Sequence, residues 1–391
     1  MEYRRHRPLV ILRALLIFLA SIAGSTAAAT PQTDTDLQQQ AENAYRAGDL
    51  ETAAQAWSDA AAQARALQDA IGESQALARS AAARQGLGQY QRAIDQLQQA
   101  RKLAEQADDQ AHYANMTQRL GAAYLMLPDT GAAAPLLNEA RQIARSRKDA
   151  ALEATLTYSL GRLEQLRGNT TAAAEHYAHG MTLAEQLGDA ALQARTATSA
   201  GQLDLQTGDY ASADTWLGRA SAAAGKLPDS RDKAYLLIRI ARLQLQLAEA
   251  LPERHTALTR AVYAGLQSAE QVAGRIGDPR AKSWASGYLG ELYESQGRTE
   301  EAMNLTRRAI YDIQGLHAPE LLFRWEWQQG RLLKATGDSG NALKAYRNAI
   351  HTLHSVRTEL AASLERSRES YHRLVGPLYL EYADLLLQEG E

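Results

Sequence analysis

The 391-residue chain has no cysteine, only two phenylalanines and an aromatic share of 6%. Without thiols there are no disulfides, thiolate metal sites, cysteine nucleophile or lipid-modified cysteine. The scarcity of aromatic side chains disfavours sandwiches and barrels, whose strands draw on β-branched and aromatic residues. A cationic excess is missing as well: 42 Lys and Arg stand against 45 Asp and Glu, a net charge of −3. That balance disfavours nucleic acid as a partner. Glycine-rich phosphate loops, a Gly-x-Ser-x-Gly elbow and a His-Glu-x-x-His pair are also absent, so no catalytic residues and no cofactor are assigned. What is present is a 45% hydrophobic content carried by alanine and leucine, too high for disorder and suited to an all-α fold.

Residues 1–29 read as a secretory leader. Arg4, Arg5, His6 and Arg7 form a basic start, an apolar stretch follows, and Ala27, Ala28 and Ala29 offer a cleavage site after Ala29. Arg13 interrupts the apolar stretch, and the unbroken run from Ala14 to Gly24 is short for a spanning helix. An uncleaved anchor over Leu9–Ala29, with Arg13 snorkelling, is the alternative. Either way the body is expected outside the cytoplasm, periplasmic or secreted, with no membrane span after cleavage. Residues 30–35, with Pro31, form a linker.

A forty-residue period runs through the rest. Ala41, Ala81, Gly121, Gly161, Gly201 and Ala241 mark it, and after an insertion near 249–257 it resumes at Gly290 and Gly330. A second series, Ala53, Ala93, Ala133, Ala173, Ala213, Ala302 and Ala342, runs in phase, as does a third from Ala60 to Ala349. Gly48, Gly88, Gly168, Gly208, Gly297 and Gly337 fall between the first two series, where a helix C-terminus needs a left-handed residue. Each unit is therefore helix, tight turn, helix, with small residues at the crossings and Trp57, Leu97, Leu137, Tyr177, Leu217, Leu266 and Tyr346 as apolar knobs. Asp69, Asp109, Asp149, Asp189, Asp229 and Asp278 precede the first helix of successive units, and helix capping explains them better than a metal or acid–base role.

Stretches such as Ala44–Asp49, Gly201–Tyr210 and Gly290–Arg298 make the chain resemble a tetratricopeptide-repeat protein of the long-helix, 40-residue type. The resemblance implies a right-handed α-solenoid of about eight hairpins over 36–391, with units near 36–68, 69–108, 109–148, 149–188, 189–228, 229–277, 278–317 and 318–370 and a terminal helix over 376–389. It also implies a concave surface that holds a peptide or partner protein. Helical spacing from the small-residue series places Tyr158, Arg162, Arg195, Tyr235, Arg239, Arg242, Trp284, Tyr288, Arg324, Trp327 and Arg331 on that inner face. Forked cations beside rigid rings suit an acidic or C-terminal carboxylate peptide. The competing expectation is that these arginines are solvated or paired and the rings packed between units.

From Leu322 onward a narrower likeness appears. Phe323-Arg324-Trp325, Gly330–Leu333, Ala342–Arg357 and Pro377–Leu387 resemble the segment preceding the caspase-like domain of CHAT-domain proteins. That implies a sensory region for a peptidase whose His/Cys pair these residues do not contain, or a CHAT-type partner at the C-terminal end. Asn341–Ser370 has neither glycine nor proline and is expected to form one helix of about 45 Å. His176 with His179, and His351 with His354, lie on single faces but lack a third ligand, so no metal is assigned.

Overall fold

The computed structural model describes residues 34–316, 318–364 and 368–390, so the expected leader lies outside the described residues. Within them are seventeen α-helices and no strand. The first eight are α1 (Asp34–Arg46), α2 (Leu50–Ala66), α3 (Ala70–Gly86), α4 (Tyr90–Gln106), α5 (Gln110–Tyr124), α6 (Thr130–Arg147), α7 (Ala150–Leu166) and α8 (Thr170–Gln186). Then come α9 (Ala190–Thr207), α10 (Tyr210–Gly225), α11 (Arg231–Ala250), α12 (His255–Ile276) and α13 (Pro279–Ser295). The last four are α14 (Thr299–Asp312), α15 (Pro319–Ala335), α16 (Ser339–Leu364) and α17 (Arg368–Glu389). Eight antiparallel hairpins and a final helix stack in chain order, an all-α solenoid of tetratricopeptide-like repeats.

Local chemistry fixes the ends of these helices. The turn glycines Gly48, Gly88, Gly168, Gly208, Gly297 and Gly337 all have φ between +71° and +84°. Asp69, Asp109, Asp149, Asp189 and Asp278 each accept a backbone N–H three residues on, a cap worth about 1 kcal/mol. Asp49, Asp129 and Asp209 do the same for second helices. Asp229 departs from the expected series: Ser230 caps α11, and Asp229 binds Arg275 at 2.5 Å and Lys233 at 3.3 Å.

The small-residue rows are where helices cross. A Cβ at Gly121 would stand 2.8 Å from Leu137, one at Gly161 2.6 Å from Tyr177 and one at Gly201 2.9 Å from Leu217, so each knob fills the space its glycine leaves. Neighbouring odd-numbered helices from α3 to α15 also touch one another, whereas the even-numbered helices of the described residues make no comparable approach to each other. The odd helices therefore line the inner, concave side.

Two segments differ from expectation. The insertion lengthens both helices of the sixth hairpin around a short 3-10 turn, Pro252–Arg254, and Leu247 and Leu258 bury the extension. At the C-terminal end the described part of α16 stops at Leu364, and α17 begins at Arg368 rather than near 376, carrying Pro377 within it.

Candidate functional site

The inner face is built from residues one repeat apart. Arg195, Tyr235, Trp284 and Arg324 occupy one register on α9, α11, α13 and α15, and Arg162, Gln202, Arg242, Glu291 and Arg331 another. The structure sorts the predicted residues into three settings.

In the first, three arginines act on the Tyr158 phenol of α7. Burial pushes its pKa up, but Arg162, the Ser199 hydroxyl, Arg239 and Arg195 together outweigh that and hold it below the ordinary value. Arg239 donates to Gln202 at 2.6 Å, and Arg162 approaches the Met126 sulfur at 3.7 Å. Among the described residues none of Arg162, Arg195 and Arg239 has a carboxylate partner. Elsewhere arginines do: Arg65, Arg219 and Arg280 hold carboxylates at 2.5 to 2.6 Å. The Oγ atoms of Thr196 and Ser199, on buried residues of α9, find no well-formed hydrogen bond. Next to them Gln202, Leu205 and Gln206 of α9 and Arg239, Arg242, Leu243 and Gln246 of α11 line a recess of 340 Å³.

In the second setting the aromatic residues act as a pedestal rather than an open surface. Trp284 stacks on Tyr288 at 5.2 Å, and Trp325 meets both edge-on at 5.6 Å. Gly287 makes room, since a Cβ there would lie 2.4 Å from the Trp325 indole. On this platform Arg242 stands over Tyr288 at 5.1 Å and Arg324 over Trp284 at 5.7 Å, so the rings fix the guanidinium groups. Burial lowers the Arg324 pKa, and its Nε has no hydrogen-bond partner.

The third setting is internally satisfied. Arg331 forks onto Glu294 at 2.7 and 2.8 Å. Trp327 donates to Glu381 of α17 at 2.8 Å, and Tyr346 donates to the same oxygen at 3.1 Å. Tyr235 lies under Arg231 at 4.3 Å, and burial followed by Asp278 raises its pKa. These three predicted residues, Tyr235, Trp327 and Arg331, are engaged within the protein and do not join the cationic cluster.

Sequence reasoning missed Gln202, Gln206, Gln246, Ser199 and Trp325. The glutamines were visible as register mates of Arg162 and Arg242 and of one another, but a neutral amide carries no charge signal. It also missed Arg119 on α5, in register with Arg239, whose pKa is lowered by burial and then by Arg79. No group of three His, Asp or Glu able to hold a metal ion occurs among the described residues, nor does a helix long and apolar enough to cross a membrane.

The fold is an all-α solenoid of tetratricopeptide-like repeats. No protein-family model and no curated sequence matches the chain. Solved structures do: a STAND-type signal transduction ATPase with a tetratricopeptide-repeat sensor from Pyrococcus horikoshii is 15% identical, with a TM-score of 0.55 over 93% of this chain. The match spans 55% of that ATPase. The apo quorum sensor NprR from B. thuringiensis is 11% identical, with a TM-score of 0.53, covering 88% of this chain and 94% of its own. Apo RapI is 12% identical with a TM-score of 0.51, covering 76% and 85%. At these identities the likeness establishes the fold.

Proposed function

We propose that the chain is a non-enzymatic scaffold of the periplasmic or secreted space that holds an acidic peptide segment, or a peptide's C-terminal carboxylate, against α7, α9 and α11. One observation carries this: Arg162, Arg195 and Arg239 all act on the Tyr158 phenol, and none of them pairs with a carboxylate among the described residues. Unneutralised guanidinium groups beside a recess attract an anion and grip it through forked donors. The basic, apolar and small-residue segments of 1–29 support export.

Titration with a peptide ending in Asp-Glu, in free-acid and amidated forms, tests the reading. Arg239→Glu and Arg195→Glu are each expected to weaken binding about 30-fold, roughly 2 kcal/mol for a lost charge-assisted bond, and raised salt weakens the wild type. Trp327→Ala, which touches α17 instead, leaves affinity in place. Unchanged binding in both arginine variants would remove the site.

A second reading rests on α17, where Leu380 and Leu387 are 72% and 79% exposed. The resemblance of 322–387 to the segment before a CHAT domain makes this face the place where a caspase-like domain would pack, in a longer chain or as a partner. Downstream coding sequence lacking a His/Cys caspase-like frame would reject it.

A further inference from the structure

Six turn glycines share one position and one backbone conformation, yet one of them has a different neighbour. A Cβ added at Gly88, Gly168, Gly208, Gly297 or Gly337 meets nothing within 4 Å. At Gly48 it would stand 2.5 Å from Cγ of Asp278 and 2.7 and 2.8 Å from the two carboxylate oxygens. The turn of the first hairpin thus lies against the N-cap of α13, in the seventh.

Two further observations agree. Asp278 is 1% exposed, whereas its counterparts Asp69, Asp109, Asp149 and Asp189 all reach solvent; the first hairpin covers it. Arg231, which opens α11, faces the Tyr45 hydroxyl of α1, and a Cβ at Gly86 would lie 3.5 Å from its Nη2. Turns within hairpins lie on one edge of the ribbon and connections between hairpins on the other. The two edges meet only where the solenoid has completed a superhelical turn.

We propose that this contact is a latch: the first hairpin docks on the starts of α11 and α13, closes the superhelical turn and sets the aperture of the concave groove, and its release widens that groove. The latch is built to open. Arg231 Nε and Asp278 Oδ2 are buried 3.8 Å apart, beyond hydrogen-bond distance, and neither has a hydrogen-bond partner. Closing the latch takes these two polar atoms out of water without giving either a hydrogen bond, so it is held by packing and separates at low cost. It connects to the groove through α11, which carries Arg231 at its start and Arg239 and Arg242 further along. The inference concerns the shape of the protein and stands whether or not the groove holds a peptide.

Because the chain has no cysteine, spin labels at Glu51→Cys on α2 and Gly274→Cys on α12 report the separation across the latch; both positions are exposed. Gly48→Ala is expected to shift the distance distribution to longer, broader values and to raise the radius of gyration in solution scattering. Gly88→Ala carries the same backbone cost at φ +75° against +76° but has no long-range neighbour, and it leaves both measurements unchanged. Arg231→Ala, which leaves the turn intact but removes the guanidinium that faces Tyr45 and approaches Gly86, loses that packing across the latch and shifts them in the same direction. Equal distributions for Gly48→Ala and Gly88→Ala, or an unmoved Arg231→Ala, would overturn the latch.

Discussion

The two ends of the inner face use arginine in opposite ways. On α7, α9 and α11, Arg162, Arg195 and Arg239 gather near Tyr158 with an amide and a thioether as neighbours. On α15, Arg331 is forked onto Glu294 and lies 5.1 Å from Trp327, which is itself bonded to α17. Arg162, Arg242 and Arg331 occupy equivalent places in their repeats, so the residue type and its position do not decide its role. A guanidinium keeps its charge inside a protein, and whether that charge is spent within the fold or left facing outward depends on the acids its neighbours supply. The neighbours of Arg331 supply Glu294. On α9 the only carboxylate is Asp204, which pairs with none of the arginines.

The largest expected effect comes from breaking the satisfied end. Glu294→Ala strands Arg331, and since the two side chains are only 22% and 29% exposed the loss is expected to be about 2 kcal/mol, below the range for a fully buried pair. Arg195→Ala, at an exposed position without a carboxylate partner, is expected to change stability by less than about 0.5 kcal/mol. Urea denaturation of both variants makes the comparison, with hydrogen exchange in α13 and α15 locating the loss. Equal destabilisation would erase the distinction between the two ends.

The fold was legible because one physical constraint repeats. Close helix crossings admit only alanine or glycine, so Gly161 under Tyr177 and Gly201 under Leu217 leave a periodic mark that composition cannot hide. The site was legible only in part, because periodicity reports which face a residue occupies and not what meets it there. Trp327 and Arg331 share the inward registers of the cluster, but α17 and Glu294 claim them. Trp284 and Tyr288 read either as rings of the inner face or as packing between units, and the indole of Trp325, admitted by Gly287, makes them a support. The terminal helix, expected over 376–389, starts earlier, at Arg368, and carries Pro377 within it. The meeting of Gly48 with Asp278 left no trace in the sequence, since it arises from the accumulated curvature of six hairpins.

Asp204 sharpens the comparison with a smaller effect. Burial, and then Asp209, raises its carboxyl from 3.8 to about 6. The folded state therefore holds this proton more tightly than the unfolded chain does. The stability gained is present below the unfolded value and is lost as pH rises through about 6. Asp204→Asn removes the penalty and is expected to stabilise the protein by about 1–2 kcal/mol at neutral pH, allowing for partial exposure, and by nothing near pH 4. Thermal melts across that range decide. A variant equally stabilised at both pH values would mean that the carboxylate is not held in this strained, unpaired state.

The smallest effect reads the cationic cluster directly. Tyr158 has its pKa lowered below 10.0, whereas burial raises Tyr177, Tyr235 and Tyr346. A depressed folded value means that the stabilising contribution is complete above the unfolded value and is lost as pH falls through the folded one. Ultraviolet titration of wild type minus Tyr158→Phe is expected to show one phenolate forming before the rest. In an Arg239→Glu background that component moves up. An anionic ligand would compete with the phenolate for the same guanidinium groups, so peptide affinity falls with rising pH over the interval in which Tyr158 ionises. A Tyr158 component that titrates with the bulk, or that ignores the charge at position 239, would show that the arginines stand too far from the phenol to act on a ligand there.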